Sequence, residues 1–368
     1  MIGGTQGAGT KEAGPGGPAR TWGSAPQLIA LDATYSIGDE LSGVGVYSRE
    51  MLGGLAGAHP EASFEYCYRP HRYFRARSMP LPPNARRRLL AEPLGPRSAA
   101  LFHGLNQRLP RMPLRRAVAT FHDLFVMTGE YSTPEFRARF TAQAREAAAR
   151  ADVIIAVSQF TKSQVVGLLG VESAKVRVVH HGIRRLDFPA GAAREKVILN
   201  VGAIQKRKNI ARLVSAFETV DPSWRLVLAG AAGYGASEIL GVIEQSPARN
   251  RISVLGYVSP ADLAAWYAGA AIFAFPSLDE GFGMPLLEAM AAGMPIITSN
   301  RSALPEVAGD AALLVDPKSI EAIAQALRQL TEDRELQTEL SRRGTQRASS
   351  FNWEKAVRAT WAVYQELL

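Results

Sequence analysis

Cysteine is almost missing: Cys67 is the single one in 368 residues. A lone thiol builds no disulfide framework and no thiolate metal site. Such usage fits a reducing compartment, and a cytoplasmic protein is expected. No uninterrupted apolar run of about 18 residues occurs, which excludes a helix that spans a bilayer. H-x-x-x-H, C-x-x-C and D-x-D patterns are lacking, so no metal centre is expected. A P-loop and a G-x-S-x-G elbow are lacking too, which excludes two common routes to phosphate and acyl chemistry. Residues 1–26 have no apolar segment of the kind that marks a secretory signal. Rich in glycine, they are expected to form a disordered tail.

What is present describes an ordinary globular chain, 47% apolar and 21% charged. At about 100–200 residues per domain, this length makes two domains the natural expectation. The net charge of +8 is unevenly placed. Residues 1–183 hold 22 Lys and Arg against 14 Asp and Glu, whereas 184–368 hold 20 of each. Within Tyr66–Arg116 there are 12 arginines and one acid, Glu92. Such a run reads as a solvated basic face, or as a surface for anionic membrane, an anionic acceptor or nucleic acid. Tyr66, Tyr68, Tyr73, Phe74 and Phe102 accompany it and would suit a membrane interface or base stacking.

Strand-like and helix-like segments alternate along most of the chain. "PQLIALDAT" (26–34) and "RRAVATFHDL" (115–124) read as strands. Residues 133–151 read as a helix with Thr133 as N-cap and Pro134 at its first position. "DVIIAVS", "QFTKSQVVGLLG" and "KVRVVHHGI" repeat strand, helix, strand. The weakly patterned stretch 184–196 interrupts the series, and the pattern restarts at "VILNVGAI". Alternation of this kind implies α/β architecture with parallel sheets. The expected domains are 27–190 and 191–350, two Rossmann-like doubly wound units facing a central cleft. Residues 351–368 form a last helix, expected to pack back toward the first domain. Ligands of such sheets bind beyond the carboxyl ends of the strands.

The stretch Asp279–Gly293 reads "DEGFGMPLLEAMAAG". "AIFAFPS" before it is a buried strand, Pro285 suits a helix start, and Gly293 suits its end. Leu278–Met284 is then a strand-to-helix loop, and the amides of residues 284–287 are the unpaired donors that bind anions. Glu288, about one turn into the helix, can accept both hydroxyls of a ribose. Glu280 can reach another part of the same ligand, such as a sugar. Gly202 ends another strand, followed by Lys206, Arg207 and Lys208, cations that would neutralise a diphosphate. Gly43 and Gly45, just before a helix, let backbone approach a ligand. His122 and Asp123 sit at a third strand end.

Taken together and in order, these segments resemble family 4 of the retaining glycosyltransferases, which have the GT-B fold. The likeness spans about residues 27–368 and is densest at "FPSLDEGFGMPLLEAMAAGMPIITSNRSALPEVAGDAALLVDP", the E-x7-E region. "VGAIQKRKNI", "LGYV", "SGVGVYSREML", "FHDL", "AVSQFTKSQV" and "VVHHGI" also fit. The resemblance implies that Glu280 contacts the donor sugar and Glu288 the ribose, with Arg207 and Lys208 on the diphosphate. It places His122 near the sugar, Gly43 and Gly45 near the phosphate, and Gly256, Tyr257 and Val258 around the base. Gly202, Gly281, Phe282, Gly283, Met284, Pro285 and Leu286 complete the implied substrate-binding set. Many members carry an Arg directly after the glycine matching Gly202; here Ala203 stands there and Arg207 looks like its substitute. The "RKN" loop resembles a mannosyltransferase subgroup of bacterial polysaccharide assembly.

The expected activity is therefore metal-independent transfer of mannose from GDP-mannose to a saccharide acceptor, lipid-linked, at the inner membrane face. The sugar nucleotide is a substrate, so no cofactor is expected, nor a nucleic-acid partner. Other donors (UDP-glucose, UDP-GlcNAc, dTDP-rhamnose), a sugar-nucleotide epimerase, a non-catalytic binding protein and a nucleic-acid binder using the basic run are the rival readings.

Overall fold

The computed structural model describes residues 27–368 apart from 39, 94 and 190. The tail expected over 1–26 lies outside the described residues. The first half runs β1 (Leu28–Asp32), α1 (Gly43–Ala58), β2 (Ser63–Tyr68), α2 (Pro70–Ala76), β3 (Ala85–Leu89), β4 (Leu101–Gly104), β5 (Ala117–Phe121), α3 (Phe125–Thr128), α4 (Pro134–Arg150), β6 (Val153–Ala156), α5 (Gln159–Leu169) and β7 (Val176–Val178). The second half continues with β8 (Glu195–Val201), α6 (Ile210–Phe217), β9 (Arg225–Ala229), α7 (Ala236–Gln245), β10 (Ile252–Gly256), α8 (Pro260–Gly269), β11 (Ala270–Phe275), α9 (Met284–Ala291), β12 (Ile296–Ser299), α10 (Leu304–Ala308) and β13 (Leu313–Val315). Three helices close the chain: α11 (Ile320–Glu332), α12 (Arg334–Ala348) and α13 (Trp353–Gln365).

Each half is one parallel sheet, ordered β3-β2-β1-β4-β5-β6-β7 and β10-β9-β8-β11-β12-β13. Strand order reverses between β1 and β4 in one sheet and between β8 and β11 in the other, the places where such sheets take ligands. Both faces of each sheet are covered, because alternate residues of a strand point opposite ways. Ile29 and Leu31 enter one core of the first domain while Ala30 enters the other. Val197 and Leu199 face one core of the second domain and Ile198 the opposite one. No described helix is long and apolar enough to cross a membrane.

The basic stretch is more structured than its composition implied. Tyr66 and Tyr68 lie on β2 and Phe102 on β4, all three buried, so they are core and not an interfacial belt. Phe74 on α2 does face solvent, at 75% exposure. The edge strand β3 reads "ARRRL", half-buried and exposed in alternation. Charges on an edge strand discourage pairing with another chain. Arg86 pairs with Glu65 at 2.8 Å. Arg87 and Arg88 donate to the carbonyls of Ala76 and Gly95.

Helix α13 leaves the second sheet and lies along α1 of the first domain. Tyr364 is fully buried, its hydroxyl 2.6 Å from His103 Nδ1. Trp353 Nε1 donates to the Ile183 carbonyl at 2.9 Å. The two helices approach closely at Gly54, where a Cβ would sit 2.4 Å from Val357 Cγ2. Gly54→Val is therefore expected to destabilise the protein by about 1–3 kcal/mol, the usual cost of overpacking. Urea denaturation checks this, and an unchanged midpoint would show that the contact is not rigid.

Candidate functional site

Strands β8 and β11 are hydrogen-bonded neighbours, so the loops leaving their carboxyl ends meet. The loop after β8 tightens into one 3-10 turn over Lys206–Lys208, and Asn209 then takes a left-handed conformation (φ 61°) before α6. Asn209 is fixed there because its side-chain amide donates to the carbonyls of Pro276 and Pro317. The turn aims Arg207 and Lys208 at the loop after β11. Arg207 Nη1 lies 2.7 Å from Glu280 Oε2, and Lys208 Nζ lies 2.6 Å from Glu280 Oε1. All three are buried. Each cation also stands over an aromatic ring: Arg207 over Phe125 at 4.2 Å and Lys208 over Phe275 at 4.6 Å. Gly202 leaves room for this, since a Cβ there would come 3.1 Å from Lys208 Cε.

Burial alone would raise the Glu280 carboxyl, but Arg207 and Lys208 outweigh it and hold it at about 2. Glu280 is thus a carboxylate at any physiological pH. Glu288 is the opposite case. Burial raises it, against the hydrogen bond from Tyr267 and the charge of Arg184. The Tyr267 hydroxyl donates to Glu288 Oε2 at 2.8 Å, which fixes the acid's rotamer. Asp123 is pushed up to about 6 by burial, with Arg207 opposing.

The first domain supplies the facing wall. His122 follows β5, and its Nε2 donates to the Leu105 carbonyl at 2.9 Å. A carbonyl only accepts, so Nδ1 is the unprotonated nitrogen, and it accepts from His181 Nε2 at 3.4 Å. His181 Nδ1 is then a bare acceptor, buried and without a partner. Burial lowers His122 to about 4 and drives His181 well below the usual imidazole range, so both rings are neutral. At Gly281 the domains meet closely, because a Cβ there would lie 1.8 Å from the His122 carbonyl oxygen. Ser158 Oγ and Thr161 Oγ1 donate to the Gly281 carbonyl at 2.7 and 3.0 Å. Glu306 of α10 accepts from the Gln159 and Phe160 amides at the start of α5, and from His180.

These walls enclose a cavity of about 390 Å³, within the range of small-molecule sites. Of the sequence-derived residues, Gly43, His122, Arg207, Lys208, Glu280, Gly281, Phe282, Gly283, Met284, Pro285 and Glu288 line it. Others do not. Gly43 and Gly45 form the first turn of α1, not a loop before it, because Ser42 caps that helix through the Gly45 amide. Gly45 faces the Tyr35 carbonyl and Leu41 instead of the cavity. Leu286 is buried in the second core, and its amide is taken by the Gly283 carbonyl. Gly256, Tyr257 and Val258 are not among the lining residues, and Tyr257 is half exposed. Gly202 acts from below, through Lys208. Sequence reasoning gave no role to His181, Arg184 or Leu263, which also line the cavity. The His180–His181 pair beside Gly182 was the one available signal. A larger groove, about 670 Å³, follows the α1–α13 seam; Arg49, Arg185 and Arg358 line it with Glu50 and Glu354.

Residues 42–185 match the family described as Glycosyltransferase Family 4, and residues 184–347 match Glycosyl transferases group 1. The chain is 32% identical over 284 residues to O-antigen chain mannosyltransferase B of Escherichia coli, covering 73% of this chain and 74% of that protein. It is 27% identical over 260 residues to the serotype-specific mannosyltransferase WbdA of Escherichia coli; that match covers 65% of this chain but spans only 32% of the relative. Among solved structures it is similar to sucrose-phosphate synthase from Thermosynechococcus elongatus, with a TM-score of 0.76, 22% identity, and coverage of 93% of this chain and 99% of that one. That likeness gives the GT-B fold, and the sequence matches give the family: this chain belongs to glycosyltransferase family 4.

Proposed function

We propose that the chain transfers mannose from GDP-mannose, with retention, to a lipid-linked saccharide at the inner face of the membrane. One observation carries this reading: Arg207 and Lys208 converge with Glu280 in a cleft whose next helix begins at Met284 and bears Glu288. The two mannosyltransferase relatives and the "RKN" turn support the choice of sugar.

The charges suit departure of a diphosphate. When the anomeric C–O bond breaks, negative charge gathers on the leaving phosphate and positive charge on the ring. Arg207 and Lys208 are preorganised donors for the first, and Arg207 Nε has no partner within the protein. They supply the countercharge that a bound metal provides elsewhere. Glu280, kept ionised, accepts from sugar hydroxyls with its remaining lone pairs. Glu288, oriented by Tyr267, accepts from the ribose. The acceptor hydroxyl bonds to the face the diphosphate leaves, and its proton passes to the departing phosphate oxygen. Helix α2, with Phe74 and Arg75 exposed, rests on anionic lipid.

A thermal-shift screen of GDP-, UDP-, ADP- and dTDP-sugars in the presence of chelator tests the donor. GDP-mannose is expected to stabilise most, by about 2.7 kcal/mol at a hundredfold excess over its Kd; a larger shift with another base would replace the donor named. Glu280→Ala is expected to lower transfer by about 10²–10³-fold while GDP still stabilises the protein. Parallel loss of both would undo the separate roles given to the two acids. Cosedimentation with vesicles should need anionic lipid and weaken with salt; equal binding to neutral vesicles would count against the α2 contact.

A further inference from the structure

The arginines of Tyr66–Arg116 are unequally engaged. Arg69, Arg86, Arg111 and Arg116 have acidic partners: Asp32, Glu65, Glu146 and Asp152. Arg108, half-buried, has neither an ion pair nor a side-chain hydrogen bond among the described residues. It lines a cavity of about 450 Å³ with Tyr35, Asn106, Phe136, Arg139 and Gln143. A second hollow of about 220 Å³ adjoins it and shares Arg108 and Gln143. Together they form a trough in the first domain, beyond the carboxyl ends of β1 and β4.

The trough is built from rigid parts. Phe136, Arg139 and Gln143 recur at helical spacing on one face of α4, whose start is fixed by the Thr133 cap. The other wall is the tight turn after β4. A Cβ on Gly104 would sit 2.4 Å from the Arg108 carbonyl oxygen, so this turn closes only around a glycine. Asn106 is 5% exposed, and its Oδ1 has no partner. A buried amide left unpaired is costly unless a ligand completes it. Arg139 lies 5.4 Å from the Phe136 ring, which is 41% exposed. An apolar ring, side-chain amides and two guanidiniums without carboxylate partners match a sugar that carries a negative group. Glu92 and Glu146 line the second hollow, but both are engaged: Glu146 with Arg111 and Arg150, and Glu92 with the Arg111 amide. The trough also adjoins the cleft. Leu105, next to Asn106, holds His122, and the Tyr35 carbonyl oxygen lies 2.9 Å from where a Gly45 Cβ would stand.

We propose that this trough is the subsite for an acidic acceptor saccharide, with Arg108 and Arg139 binding its carboxylate or phosphate. The proposal rests on the reading that the chain glycosylates a saccharide, and it names the acceptor's class. A planar guanidinium meets either oxyanion through paired hydrogen bonds.

Methyl glucuronoside, glucose 6-phosphate and neutral methyl glucoside are titrated into the full chain, with and without GDP, and binding is followed by saturation-transfer NMR. The same titrations are run on the Arg108→Gln, Arg139→Gln double variant. At least one acidic probe is expected to bind about tenfold tighter than the neutral one, the scale of a good charged hydrogen bond. That preference is expected to vanish in the double variant while stabilisation by GDP persists. Preference for the glucuronoside alone assigns a carboxylate, and preference for glucose 6-phosphate alone assigns a phosphate. Equal binding of all three, no binding of any, or a preference that survives both substitutions overturns the proposal. Wild-type protein that no nucleotide sugar stabilises would instead strike at the transferase reading, and the three titrations still judge the trough.

Discussion

A carboxylate buried between a guanidinium and an ammonium is the constraint from which the second domain takes its working shape. Ions removed from water cost several kcal/mol each, and only mutual contact offsets that. Glu280 meets Arg207 and Lys208 because β8 and β11 are adjacent strands and their loops leave the sheet side by side. The glycine at 202, the left-handed turn at Asn209 and the ring of Phe275 all serve that meeting. Phe125 over Arg207 ties it to the opposite domain. The same trio that satisfies its own burial is also the charge pattern a leaving diphosphate requires.

Two neutral histidines stand in the facing wall. His122 and His181 are held uncharged by burial, and the Leu105 carbonyl fixes which nitrogen carries the proton. Neutral imidazoles bring no positive charge to this wall, and His181 Nδ1 stands as a buried acceptor without a partner. The second domain thus supplies the paired ions, while the first sets two neutral imidazoles and the carboxyl of Asp123 opposite them.

Much of this was legible in the sequence, for local reasons. Thr133–Pro134 marked the start of α4, and Pro285 and Gly293 bracketed α9, because caps and turn residues act within a few positions. The alternation of strands and helices gave two doubly wound units, as found. Long-range pairings were not legible. Glu280 and Lys208 are 72 positions apart, and no spacing states that they touch. The strand β3 hid inside an arginine run, because an edge strand needs only half its side chains to be apolar. Tyr66 and Tyr68 looked like surface aromatics for the same reason, until β2 placed them in the core. Gly45 misled as well: a glycine near a helix start can admit a ligand or merely a neighbouring carbonyl, and only geometry separates the two.

Glu306 stands on α10 in the second domain, yet it caps the first turn of α5 in the other and also holds His180. Ser158 caps α5 from its own segment through the Thr161 amide, and Glu306 adds the Gln159 and Phe160 amides from the other domain. Here, drawing the halves apart uncovers amide hydrogens at the positive end of α5 and returns a carboxylate to solvent. Those amides would then turn to water. The two halves are thereby tied through a side chain that stands outside the cavity lining.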